Sequence, residues 1–346
     1  RLRSRGLGDV YKRQIEECAR RCRQLQKEID EKEPLVDNDE IRQAWGIAFS
    51  CHGSGPSSKE GLSGAVIMLN ADATVHLLVG SADIGQGSET MECQIAAECL
   101  GIPLSNVQIT AADTRLTPYN TGTFGSSQTF ICGNAVKLAC DDLKQKMIEQ
   151  LRLIYPDCKV EEKEHIYYIS GCEESKMNFE EAARKILFDP KGGVPIGVGS
   201  YKAAACPNPF AVCFVKAEYH KKLNALRLLD IIQVVDVGTP INRLTVAGQL
   251  EGGIAQGVGT RSMSAWRLTR ARAAHYRPIS CTTAFRRWAT CRAPMWTWYR
   301  ATIPTVPAGQ RVSVSWRLYR SRPPLLTQRA AQAEWKSAAC RCVINL

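Results

Sequence analysis

The chain has 346 residues, 45% of them hydrophobic, with 45 Lys and Arg against 34 Asp and Glu. That length predicts about two domains, and that apolar fraction excludes a wholly disordered chain. No run of about 18 apolar residues occurs, which excludes a transmembrane helix, and the 15 Cys form no CxxC pair, which argues against a zinc ribbon or disulfide framework and suits a reducing, cytoplasmic setting.

The net charge of +11 sits at the two ends. Residues 1–14 carry five basic residues and one acid, and residues 261–346 carry fifteen Arg, one Lys and one acid. The body between them is therefore acidic. Asp9–Gln14 (DVYKRQ) back-translates to GAT GTG TAT AAG AGA CAG, a transposon end used in sequencing libraries. Residues 1–14 are accordingly read as an assembly scar. No secretory signal is visible there.

Residues 15–33 are charged and free of Gly and Pro, which predicts a helix that Pro34 and Asp37-Asn38-Asp39 end. Gly61–Val79 reads as a hairpin, its apolar runs AVIML and VHLLV flanking a polar turn at Asn70–Thr74. A Gly-rich loop, Gly80–Glu89, then leads into a helix from Thr90 to Leu100 that Gly101-Ile102-Pro103 stops, and Val107–Thr110 is a further strand. Thr121–Thr129 (TGTFGSSQT) is a second small, hydroxyl-rich loop before a helix over Gly133–Leu151. Residues 141–195 read as a helix-rich insert. A second hairpin, Phe210–Tyr219 and Ala225–Val235, turns at His220–Asn224 and precedes a helix around Ala247–Gly257. Hairpin, small-residue loop and helix thus occur twice, which points to duplicated units in an α+β fold.

Backbone N–H groups at Ile84–Glu89 (IGQGSE), free of bulky side chains at a helix start, favour an anion such as phosphate. The loop is neither a P-loop, for no GKS or GKT follows, nor a dinucleotide fingerprint. Each feature alone has a bland reading: a turn, a solvated Ser/Thr/Gly linker, and at Gly248-Gln249 a helix-packing glycine. Their occurrence together and in order points beyond chance.

Here the sequence resembles the molybdenum-binding subunit of the xanthine dehydrogenase and aldehyde oxidase family, over roughly Ala44 to Gly259. The resemblance is close at GSADIGQGSETMECQIAAECLGIPLSNVQI, at DTRLTPYNTGTFGSSQTFICGNAVK and at VVDVGTPINRLTVAGQLEGGIAQGVG. It corresponds to the C-terminal molybdopterin-binding lobe. The preceding lobe, with the family's GGxFG loop and Arg-containing substrate loop, is absent from this sequence.

The resemblance implies a set of site residues. Gly85, Gln86 and Gly87 would contact the pterin and its phosphate. Gly125, Ser126, Ser127, Gln128 and Thr129 would form the second cofactor loop, the Gly125 backbone lying near the metal, and Gln249 would stand in the cofactor's polar shell. The implied cofactor is molybdopterin, as such or as its cytosine dinucleotide, held by a dithiolene that needs no protein thiolate. Each Cys is then a buried small hydrophobe by default. Implied partners are a heteroaromatic or aldehyde substrate, an Fe–S subunit and an FAD subunit, in a dimer of such assemblies, with no membrane and no nucleic acid. Purine oxidation leads among the activities, with aldehyde, nicotinate and aromatic acyl-CoA substrates left open.

The family's catalytic base, a Glu in a GVGE motif that acts on a molybdenum-bound hydroxide, is missing. With the coding CCT GCG GGG CAA AGG GTG TCG GTG AGC TGG, Pro307–Trp316 read two bases later gives CGAKGVGEL. Thr260–Ser264 similarly contains ALYE, which the family carries after GVGY. A one-base deletion near Gly259–Thr260 explains both. The expected organisation is therefore a scar over 1–14, a helical segment over 15–43, the molybdopterin-binding lobe over 44–259 and an out-of-frame tail over 260–346 without native fold. Such a chain is expected to hold no molybdopterin stably and to be inactive. The alternative is a nucleic-acid binder acting through the basic tail, against which stand the acidic body and the tail's near lack of Lys.

Overall fold

The computed structural model describes residues 5–54, 61–171, 175–204, 208–262 and 313–317, with side chains between Gln14 and Gly259. The chain divides into two compact units. One combines the stretch up to His52 with that from Asn208 onward; the other is the continuous stretch Gly53–Pro207.

The continuous unit is built on a sheet ordered β4-β3-β2-β8. Its strands are β2 (Leu62–Leu69), β3 (Val75–Val79), β4 (Val107–Ala111) and β8 (Ile196–Lys202). β2 and β3 form the expected hairpin. Asn70 and Thr74 close its turn through backbone and side-chain bonds of 2.8 and 2.9 Å. Every second residue of both strands is buried, so one face carries the core, while the other, with Leu62, Val66, Met68, His76 and Leu78, is half-buried. α2 (Ser88–Leu100) and α3 (Gln128–Ile154) cover the core face. Gly101 ends α2 at φ 67°, its N–H bonding the carbonyls of Ala97 and Glu98.

The helix-rich reading of residues 141–195 is corrected. α3 does run to Ile154, but β5 (Lys159–Lys163), β6 (Ile166–Ser170) and β7 (Ser175–Met177) follow as a three-stranded antiparallel sheet, and only then α4 (Phe179–Phe188). The period there is two: Val160, Tyr167 and Ile169 are buried while Lys159 and Lys163 pair with Glu161 on the wet face. Glu164 and His165, at φ 50° and 66°, make the two-residue turn of a tight hairpin.

The other unit is an antiparallel sheet ordered β1-β9-β10-β11, from β1 (Ile41–Cys51), β9 (Phe210–His220), β10 (Ala225–Asp236) and β11 (Ser313–Arg317). α1 (Arg5–Lys32) covers one face through Cys18, Cys22 and Ile29 against Val212, Phe214, Ile232 and Val234. α5 (Arg243–Ser262) sets Leu250 and Ile254 against hydrophobic residues of β9 and β10. The hairpin–loop–helix order thus occurs in each unit, and the fold is α+β.

At the chain ends, α1 starts at Arg5, within the stretch read as a scar. In the tail, α5 runs on to Ser262, and Ser313–Arg317 pair with Asp236–Ile232 at the edge of the sheet. The rest of 260–346 lies outside the described residues. Among the described residues Cys158 is disulfide-bonded and the other eight cysteines are not.

Candidate functional site

Ala82–Gly87 carries the chain from β3 into α2. Gly85 and Gly87 take positive φ of 102° and 80°, which glycine adopts without strain. The resulting curl turns its amides onto Asp83. Oδ1 accepts from Gly85 N at 2.7 Å and Gly87 N at 3.3 Å, and Oδ2 from Glu89 N at 3.4 Å. These bonds, the Gly85 amide foremost, hold the Asp83 carboxyl below the usual range. Gln86 is also tied inward: Oε1 accepts from Ile84 N at 2.7 Å and Nε2 donates to Ala82 O at 3.3 Å. The expectation that these amides are open to a phosphate is corrected, since the loop's own carboxylate already fills that place.

The second loop behaves differently. Gly125 and Ser126 sit at φ 59° and 55° just before α3. Ser127 and Gln128 turn inward and are 2% and 6% exposed, while Ser126 and Thr129 face solvent. Ser127 Oγ donates to Phe124 O at 2.7 Å. Gln128 Nε2 donates to Gly122 O at 2.7 Å, and its amide pairs with that of Asn120 through two 3.1 Å bonds. No acid stands in the first turn of α3, and the amides of Gln128 and Thr129 make no hydrogen bond among the described residues. A helix start with free amides, two exposed hydroxyls and no carboxylate is the better anion site of the two.

The loops are joined. Thr123 Oγ1 donates to Ala82 O at 2.8 Å and accepts from Ala82 N at 3.1 Å. Asn120 Nδ2 donates to Ser63 Oγ at 2.9 Å. Gly80 lets them approach, because a Cβ there would lie 2.2 Å from Pro118 O. Beneath both loops lies a sealed polar group: Ser63, Ser81, Glu92 and Cys132, each fully buried. Burial raises Glu92 to about 7. Ser81 and Cys132 face it and offset part of that rise, yet neither closes a hydrogen bond on either Glu92 oxygen. The hydroxyls of Ser81 and Ser88 are likewise unpartnered.

Eight of the nine expected site residues thus fall on two adjoining loops and the first turn of α3, all in one unit. The ninth, Gln249, belongs to the other unit, exposed on α5. Beside it Gly248 has open space where a Cβ would stand, so helix packing does not explain that glycine. Among the described residues no cluster of three His, Cys, Asp or Glu could hold a metal ion. Sequence reasoning missed Asp83, Asn120 and Thr123. The signal for two of them was present, an Asx residue two positions before a glycine in Asp83-Ile84-Gly85 and Asn120-Thr121-Gly122.

The family model described as "Molybdopterin cofactor-binding domain" matches residues 19–271. The putative xanthine dehydrogenase molybdenum-binding subunit of Escherichia coli (strain K12) is 29% identical over 259 residues, covering 72% of this chain and 34% of that protein. The carbon monoxide dehydrogenase large chain of Afipia carboxidovorans is 27% identical over 248 residues, covering 67% of this chain and 31% of that protein. Among solved structures, a Cu,Mo-CO dehydrogenase in its carbon monoxide reduced state superposes with a TM-score of 0.59 at 22% identity, covering 78% of this chain and 34% of the other. The quinoline 2-oxidoreductase of Pseudomonas putida 86 gives 0.59 at 21% identity, covering 74% and 34%. These likenesses show a shared fold. The chain spans about a third of the length of the curated relatives it matches.

Proposed function

The chain belongs to the molybdopterin cofactor-binding domain family, and from that premise we propose that it is the cofactor-cradling part of a molybdenum hydroxylase acting on a purine or another N-heteroaromatic. The observation that carries the reading is the pair of joined loops, one of which presents an unspent helix start beside exposed hydroxyls. When bound, the cofactor would supply a two-electron oxidation, with water as the oxygen source and Fe–S and FAD groups on other subunits or domains as the electron outlet.

The chain's own residues divide the work. Gln128 N, Thr129 N, Ser126 Oγ and Thr129 Oγ1 would hold the phosphate, in the free molybdopterin or its cytosine dinucleotide. Gly125 would bring bare backbone close to the metal end, and Gln86 would present the edge of the first loop to the pterin. Asp83 acts through the loop, fixing its curl. No carboxylate stands in a GVGE motif in this sequence, so a substrate placed here would find no general base from that motif, and the chain alone would neither hold molybdopterin stably nor turn over.

Amide NMR of the full chain titrated with inorganic pyrophosphate tests the cradle. Signals of Ser126, Gln128 and Thr129 should move while those of Gly85, Gly87 and Glu89 stay. Movement confined to the first loop, or none at all, would overturn the assignment. Xanthine oxidation by the cofactor-supplied chain would overturn the proposed inactivity.

A further inference from the structure

β1 stands at one rim of its sheet and, among the described residues, pairs only with β9. Successive residues of an antiparallel strand turn their backbone groups to alternate sides. Gln43 N donates to Val36 O at 2.7 Å and Ile41 O accepts from Asn38 N at 2.9 Å, so the odd-numbered residues face away from β9. The stretch 36–38 thus covers the start of the free edge. From Trp45 to Phe49 no backbone hydrogen bond meets that edge among the described residues. β8, at the rim of the other unit's sheet, is closed instead: Val198 N donates to Asp142 Oδ2 and Lys146 Nζ to Ile196 O, both at 2.7 Å.

The open edge is apolar on one face. Trp45 Nε1 donates to Asp30 on α1 at 2.9 Å, which sets Trp45, Ile47 and Phe49 on the face that α1 covers. α1 packs on β9 and β10 and stops short of this rim, for Ile47 is 51% and Phe49 68% exposed. Beside them runs a trough of about 510 Å³, lined by Ile47 and Phe214 of the sheet and by Arg23, Lys27, Asp30 and Glu31 of α1. Cys22 bonds to Val212 O, opposite Phe49 in the ladder, and Asp30 to Trp45, so the middle of the helix is level with Ile47. Along the trough the charges run from basic Arg23 and Lys27 to acidic Asp30 and Glu31.

We propose that the free edge of β1 binds a second copy of this chain, the two strands pairing antiparallel about a twofold axis at Ile47 to make one continuous sheet. Trp45, Ile47 and Phe49 would exchange N–H···O bonds with Phe49, Ile47 and Trp45 of the second copy, and on the α1 face Ile47 would meet Ile47 while Trp45 meets Phe49. Such a surface is self-complementary, as a twofold axis requires. The same axis sets the two α1 helices antiparallel. The Arg23 end of each is then level with the Asp30-Glu31 end of the other, so the charges along the trough are complementary across the axis. That reversal singles out a second copy as the occupant.

Sedimentation of the full chain over a concentration series, with amide hydrogen exchange at both ends of the series, tests this. The mass should double with concentration, and the amides of Trp45, Ile47 and Phe49 should exchange quickly in the monomer and become protected in the dimer. Ile47→Lys sets two ammonium groups against each other at the axis and should leave a monomer, as should Ile47→Glu, whereas an equal mixture of the two should dimerise again. A chain that stays monomeric, a dimer that leaves these amides unprotected or survives Ile47→Lys, or a mixture of folded variants that fails to associate would overturn the proposal. So would protection that does not vary with concentration, since another stretch of the same chain would then lie on the edge. The unsubstituted chain decides this even where a variant fails to fold.

Discussion

Glu92 is a carboxyl sealed where no cation offsets it. Its neighbours Asp83 and Glu89 are acidic and raise it further, after burial itself. An ordinary carboxyl near 4.5 is moved to about 7. Below pH 4.5 the group is protonated in both folded and unfolded chains and costs nothing. As pH rises from there to about 7 the unfolded chain ionises first, so stability falls through that window and the loss is complete above it. The shift corresponds to a loss of about 3 kcal/mol. Glu92→Gln keeps the shape without the titration, so its urea midpoint should stay flat between pH 4.5 and 7 and lie above that of the unsubstituted chain at pH 8. Parallel pH profiles for the two proteins would show that Glu92 is not the group responsible. None of this was legible in the sequence, where Glu92 is one acid among others on a helix. Its burial depends on Ser81 and Cys132, which come from a loop and a different helix. Asp83 was closer to legible, since a short acceptor before glycines at a helix start is a local pattern. That same locality undid the phosphate reading of the first loop, because the anion was supplied from within.

Among the elements, β8 lies close against α3. A Cβ on Gly199 would lie 2.1 Å from Ala135 O, and one on Gly197 2.1 Å from Ala139 O. Both obstacles are helix backbone, which cannot rotate aside. Gly199→Ala should therefore destabilise the chain by about 3 kcal/mol, at the upper end for overpacking, and a thermal midpoint within error of the parent would refute the close approach. α4 offers a gentler test. Asn178 caps it, accepting from Glu181 N at 2.9 Å while the Glu181 carboxylate accepts from Asn178 N at 2.9 Å. Asn178→Ala should cost about 1 kcal/mol, measurable as a lowered urea midpoint. Strong periodicity made β2, β3, β9, β10 and the major helices readable. The small sheet of β5 to β7 was not, because KVEEK and SKM bring few apolar residues and their charges lie on a solvated face, which composition alone cannot tell from a helix.

At the scale of the whole molecule, the division into two units makes unequal demands on the chain. The unit with β1 and β9 to β11 is assembled from two separated stretches, so neither stretch can complete its sheet alone. The other is one continuous stretch, and its largest hydrophobic core, from Ala65 to Ile186, draws on no residue outside Gly53–Pro207. A segment that buries its own core can fold independently. Residues 53–207 expressed alone should therefore unfold in a single cooperative urea transition. Both loops lie inside that segment, joined to each other by the Ala82–Thr123 bonds, with Asn120 tied to Ser63 of β2. The isolated unit should then reproduce the full chain's pyrophosphate-induced shifts at Ser126, Gln128 and Thr129. A folded unit lacking those shifts would mean that the cradle needs residues outside 53–207. A unit that fails to fold, judged by a gradual transition without a baseline, would show that the stretches flanking it are needed for its core to form.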